Sequence, residues 1–167
     1  KGMTMTDMVG WTPPTQKYII DDGILVPNTK MIIFGKFQTW KSMLSIHTAY
    51  TIATGKDWFG HRTYRTSSYI VQTEVPMAQL KERVLKYTTS NSIMSDNVWF
   101  TYEPYIKLDK GFGIGELEKE LSRTQAKLLI IDPLYKVMSG RLADQYDINQ
   151  FTDRLDILAS KYNLTLI

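Results

Sequence analysis

Gly35-Lys36-Phe37-Gln38-Thr39-Trp40-Lys41-Ser42 is the stretch on which the reading of this chain turns. The pattern G-x-x-x-x-G-K-[ST] marks a loop whose backbone N–H groups cradle nucleotide phosphates. The stretch departs from it once, where Trp40 takes the place of the second glycine. An apolar run, Lys30-Met31-Ile32-Ile33-Phe34, predicts a strand leading in, and Met43-Leu44-Ser45-Ile46-His47-Thr48-Ala49-Tyr50 predicts a helix leading out. That strand–loop–helix context is what the motif requires. Lys41 is then expected to reach the β- and γ-phosphates of ATP, and the Ser42 hydroxyl to lie on Mg²⁺. Backbone N–H groups from Gly35, Lys36, Phe37, Gln38, Thr39, Trp40, Lys41, Ser42 and Met43 are expected to hold phosphate oxygens, aided by the helix N-terminus. The competing reading is a chance string on a loop without a ligand.

Working outward, the rest of the chain alternates strands and helices. The first helix is predicted over Lys41–Thr54, closed by Gly55. Strand Ser68–Thr73 precedes helix Met77–Tyr87, strand Asn97–Thr101 precedes helix Gly115–Arg123, and strand Lys127–Ile131 precedes a loop and helix Asp147–Tyr162. A last strand begins at Leu164. Ile148, Phe151, Leu155 and Leu158 give the final helix one apolar stripe. Leu128-Leu129-Ile130-Ile131 is apolar on both faces, as a central parallel strand covered by helices would be. The fold class that follows is α/β: a mostly parallel, twisted, doubly wound sheet with helices on both faces and ligands at the carboxyl ends of its strands. Lys1 to Gln16, broken by Pro13-Pro14, reads as a lead-in or linker, and residues 17–167 as one domain. A turn at Asp21-Asp22-Gly23 joins two short apolar pieces.

Two acids are placed by this pattern at the same sheet edge as the loop. Asp132 ends the apolar strand and can hold Mg²⁺ directly or through water; the plainer reading is a turn-forming residue before Pro133. Glu74 follows Tyr69-Ile70-Val71-Gln72-Thr73 and can orient and activate the water that attacks a γ-phosphate. It also suits the first turn of the helix beginning near Met77.

Together these residues resemble the RecA-like hexameric ATPases, most closely the RepA-like branch of plasmid and phage replicative helicases. The likeness runs from about Tyr18 to Ile167. Gly35 to Leu44 match Walker A and Leu128 to Asp132 match Walker B; Gly55-Lys56-Asp57-Trp58-Phe59-Gly60 and Gln79-Leu80-Lys81-Glu82-Arg83 also belong to the match. The resemblance implies a RecA-like P-loop fold, ATP and Mg²⁺ as ligands, Glu74 as catalytic glutamate beside Lys41, and a homo-oligomeric ring, a hexamer, acting on single-stranded DNA. It places Tyr135 to Ala143 on the channel side, so that Lys136 and Arg141 would contact DNA phosphates. A solvated flexible loop explains those two charges equally well. The chain opens at Lys1 and stops inside an apolar run, which reads as a piece of a longer protein whose sensor and arginine finger follow Ile167. A recombinase-like or regulatory ATPase without unwinding activity remains open, as does a decayed loop serving in assembly or DNA binding.

The 167 residues, 43% apolar and 22% charged, are those of a globular chain with a substantial core. There is no cysteine, which rules out disulfides and thiolate chemistry and suits a reducing, cytoplasmic setting, a host's cytoplasm if the origin is a phage. No apolar stretch is long enough to span a bilayer, so no membrane partner is expected. A net charge of +3 permits a nucleic-acid partner without demanding one. Trp58 and Phe59 are read as core packing at the end of the first helix, in preference to packing on the adenine. Tyr102 and Tyr105 are candidates for base stacking, Lys107 and Lys110 read as surface charges, and neither His47 nor His61 reads as catalytic. Gly111-Phe112-Gly113-Ile114-Gly115 reads as a loop opening a helix.

Overall fold

Leu128-Leu129-Ile130-Ile131 has no polar side to show water, so it is stable only between two layers. In the computed structural model, which describes residues 2–12, 18–36, 39–101, 105–141 and 143–167, this run is β3 (Leu128–Asp132). Pro13-Pro14, Phe37, Gln38, Tyr102 and Leu142 lie outside the described residues. β3 pairs in parallel with β1 (Ser68–Gln72) on one side and β4 (Thr165–Leu166) on the other. β2 (Val98–Phe100) pairs in parallel with the far side of β1, giving the order β2-β1-β3-β4.

Alternation along the strands divides the core. Tyr69, Val71 and Leu129 pack on one face with Leu117 and Leu121 of α4 (Gly111–Thr124) and Phe151, Leu155 and Leu158 of α5 (Gln145–Tyr162). Ile70, Leu128 and Ile130 pack on the other with Ala49 and Ile52 of α2 (Lys41–Thr54) and with Ile20 and Leu25 of the N-terminal turn. A third cluster joins Ile46 and Tyr50 of α2 to Leu80 and Tyr87 of α3 (Met77–Asn91). The doubly wound α/β arrangement is therefore present. Among the described residues, no helix is long and apolar enough to cross a membrane.

Several boundaries differ from those expected. Lys30–Phe34 does not form a ladder strand. Lys30 makes a single parallel bridge to Leu166, with the Met31 N–H donating to the Leu166 carbonyl at 2.9 Å. The residues that follow make no further ladder bond among the described residues. They keep a strand's alternation: Met31 and Ile33 are half-buried, while Ile32 and Phe34 are 80% and 90% exposed. α4 starts at Gly111, four residues before the expected Gly115, so the glycine-rich stretch is helix rather than loop. Gly113 is needed there because an added Cβ would lie 2.1 Å from the Lys107 carbonyl oxygen. α3 runs on to Asn91, and α5 starts at Gln145 with the Asp144 carboxylate capping it. The segment expected as lead-in holds a short helix, α1 (Met5–Gly10), closed by a Thr4–Asp7 capping box and with no buried residue.

Candidate functional site

The N-terminus of α2 has no side-chain cap. Its N-cap is Trp40, in the left-handed conformation at φ 62°, ψ 17°. This is a backbone state that glycine adopts readily and a bulky residue adopts only at a cost. The backbone at position 40 thus takes the left-handed bend that glycine favours, and Trp40 is 77% exposed. An uncapped first turn leaves N–H groups facing outward, as an anion site needs.

Lys41, at the first position of the helix, turns back over the loop. Its Nζ donates to the carbonyls of Gly35 at 3.0 Å and Lys36 at 2.7 Å, and to Thr39 Oγ1 at 3.4 Å. Thr39 Oγ1 in turn donates to the Lys36 carbonyl at 2.8 Å. Gly35 passes tightly beneath this arrangement: an added Cβ would lie 3.1 Å from Thr39 Oγ1. Met43 is half-buried and packs toward the cluster between α2 and α3, so any part it plays in holding a ligand falls to its backbone.

β1 and β3 deliver the acids. Gln72 and Asp132 are register partners at the carboxyl ends of the two strands. The half-buried Asp132 carboxyl is held above the usual carboxylate range, first because burial disfavours its charge. The Glu74 charge pushes the same way, while the Ser42 hydroxyl, the Gln72 amide and the Lys41 charge favour ionisation. Asp132, at the carboxyl end of β3, therefore feels the Lys41 and Glu74 charges and the Ser42 hydroxyl at once. Ser42 and Asp132 are hard oxygen donors of the kind Mg²⁺ takes together with substrate phosphates and water.

The exposed Glu74 begins the turn after β1 and lines a groove of about 320 Å³ with Gln72, Thr73, Val75, Leu80 and Tyr105. Tyr135 donates from its hydroxyl to Glu74 Oε1 at 3.4 Å. Sequence reasoning missed both Gln72 and Tyr135. The signal for Gln72 was available: one amide at the end of a strand whose preceding residues all bury.

The remaining candidates stand apart from this rim or serve the fold. Lys136, in a 3-10 turn over Leu134–Lys136, holds its Nζ 5.6 Å from the centre of the Tyr135 ring. Arg141 is exposed in the segment before α5, where its backbone N–H donates to Asp147 Oδ2 at 2.9 Å. Lys107 is no free surface charge: its Nζ donates to the carbonyls of Lys136 at 2.6 Å and Met138 at 3.0 Å. Lys110 is exposed at the N-cap of α4. Trp58 is half-buried and donates to Thr48 Oγ1 at 2.9 Å, as packing at the helix end requires. Phe59 is not core; it is 66% exposed and lies against the His47 ring at 4.7 Å. His47 Nδ1 shares a hydrogen bond with the Tyr87 hydroxyl, and His61 Nδ1 pairs with Asp22. Among the described residues no three His, Asp or Glu side chains group as a metal site by themselves.

A family model described as an AAA domain matches residues 3–167. No curated protein matches the chain.

Proposed function

Since this chain belongs to the AAA domain family of P-loop ATPases, we propose that it binds Mg·ATP at Gly35–Met43 and hydrolyses it with Glu74 as general base. We further take it to be the motor domain of a RepA-like replicative helicase of a plasmid, phage or other mobile element. The observation that carries the catalytic reading is Asp132 at the carboxyl end of β3, tied through the Gln72 amide to the Glu74 backbone and swayed by the Lys41 charge and the Ser42 hydroxyl. Lys41 now donates to neutral carbonyls. A phosphate oxygen is a better acceptor because it is charged, so the ammonium transfers to the β- and γ-phosphates when they enter. Ser42 and Asp132 would hold Mg²⁺, which when bound neutralises charge on those phosphates. Glu74 accepts a proton from the water that attacks the γ-phosphorus as the bond to the bridging oxygen breaks, leaving ADP and phosphate.

Residues 17–167 are the catalytic unit in this reading, and residues 1–16 lead into it. Lys136 and Arg141 would touch the phosphates of single-stranded DNA in the channel of a homo-hexameric ring, with Tyr105 a further candidate for base stacking. Support for the helicase branch is the order and spacing of the motifs. A filament-forming or regulatory ATPase would share the catalytic rim and lack strand displacement.

Hydrolysis and nucleotide binding in the full protein test this directly. Lys41→Ala should abolish binding of an ATP analogue while the fold is kept. Glu74→Gln should keep binding and lower kcat by about 100-fold or more, the scale of a general base. Full hydrolysis in Glu74→Gln would remove that residue from the chemistry. No nucleotide binding by the wild type would make the loop a remnant. Strand displacement on a forked DNA separates a helicase from its rivals.

A further inference from the structure

Gln72 closes a strand that is buried along its whole length, and it is itself only 6% exposed. Its amide is divided between two elements. Oε1 accepts from the N–H of Glu74 at 2.6 Å and from the N–H of Val75 at 2.9 Å. Nε2 donates to Asp132 Oδ2 at 3.2 Å. Only one orientation of the amide satisfies both sides, because two N–H donors require the oxygen and a carboxylate requires the NH₂.

We propose that Gln72 is a positioning residue that couples the Asp132 carboxylate to the backbone carrying Glu74, and so sets where the base stands relative to the metal side of the site. The proposal rests on the reading of Glu74 as base. Among the described residues, the Glu74 carboxylate has one hydrogen-bond partner, the Tyr135 hydroxyl at 3.4 Å. That is long for an O–H···O bond and holds the side chain weakly. The short bonds fall on the Glu74 and Val75 backbone instead, so the base is placed through its main chain. A displacement of about 1 Å at such a group can cost roughly 100-fold in rate.

Two substitutions separate positioning from mere packing. Gln72→Leu removes both halves of the link. Gln72→Glu keeps an oxygen for the two N–H groups but sets a second carboxylate against Asp132. When ionised that group repels Asp132; when protonated it donates to it, as the amide does. The test measures steady-state ATP hydrolysis of the full protein from about pH 5.5 to 9, with binding of a fluorescent ADP analogue and Tm measured alongside. Relative to wild type at the same pH, both variants should lose about 10- to 100-fold in kcat at pH 8. KM and ADP affinity should stay within about twofold, since the phosphate loop is untouched. Gln72→Glu should recover toward wild type as pH falls, and Gln72→Leu should not. Unchanged kcat in both variants overturns the proposal. So does a parallel loss of kcat and ADP affinity with no recovery at low pH, which would make Gln72 a packing residue. Should Gln72→Leu fail to fold, the pH dependence of Gln72→Glu decides by itself. A wild type that does not hydrolyse ATP, or a fully active Glu74→Gln, removes the reading of Glu74 and the coupling with it.

Discussion

At the scale of the residue, Trp40 poses the sharpest question. A left-handed backbone costs a bulky residue about 1–2 kcal/mol, and the exposed indole recovers little of it by burial. Glycine would remove that strain but lose about 0.5–1 kcal/mol through the greater freedom of its unfolded chain. The difference favours glycine by about 0–1.5 kcal/mol, so Trp40→Gly should leave Tm unchanged or raise it by up to about 5 °C. Affinity is another matter, because a glycine lets the loop backbone close on phosphates without a Cβ in the way. Titration with an ATP analogue should show the glycine variant binding several-fold tighter; equal or tighter binding by the wild type would refute this. The exception to the motif at position 40 was legible in the sequence. That Trp40 adopts the left-handed backbone was not, because backbone strain is settled by what surrounds the bend.

Among the elements, α4 shows how a local reading goes astray. Glycines at positions 111, 113 and 115 weaken any helical propensity, so the sequence reads as loop. The helix forms there because Gly113 lets it approach the Lys107 backbone more closely than any side chain permits. Lys107 in turn holds the carbonyls of Lys136 and Met138, so this contact fixes the path of the chain after β3. Gly113→Ala should therefore destabilise the protein by about 1–3 kcal/mol despite alanine's better helix propensity, the usual range for overpacking. Chemical denaturation measures it, and a stabilised variant would show that the approach is not tight. By contrast α2 runs over Lys41–Thr54 as read, with Gly55 closing it in the left-handed state at φ 72°. Its apolar positions and its terminal glycine agree, and no tertiary contact opposes them. The segment after Lys30 does not form the expected ladder strand: among the described residues its one bridge is from Lys30 to Leu166.

For the molecule as a whole, buried titrating groups set the pH range of stability. Burial lowers the pKa of His47 below its ordinary 6.5, so the unfolded chain takes up a proton more readily than the folded one. Stability should fall as pH drops below about 6.5. Burial raises Tyr50, Tyr69 and Tyr87 above their ordinary 10.0, so their contribution is complete below that value and lost as pH rises beyond it. Asp132, raised by burial, works in the opposite sense to His47, but only nearer the carboxylate range. Tm followed by circular dichroism from pH 5 to 11 should trace a dome, and His47→Gln should flatten its acid side. An acid side unaltered in that variant would assign the loss to other groups. The sequence by itself determined the order of strands and helices from α2 onward, the two-faced burial of β3, the loop ahead of α2, and the two acids at or just beyond strand ends. Each of these depends on residue type and spacing along the chain, which needs no partner to be read. Only the tertiary structure decided that Gln72 links Asp132 to the backbone of Glu74, that Lys41 turns back onto the loop carbonyls, and that Trp40 is exposed. Those facts depend on which strands lie side by side and in what register, and hydrogen bonds between residues sixty apart fix that only once the sheet has formed.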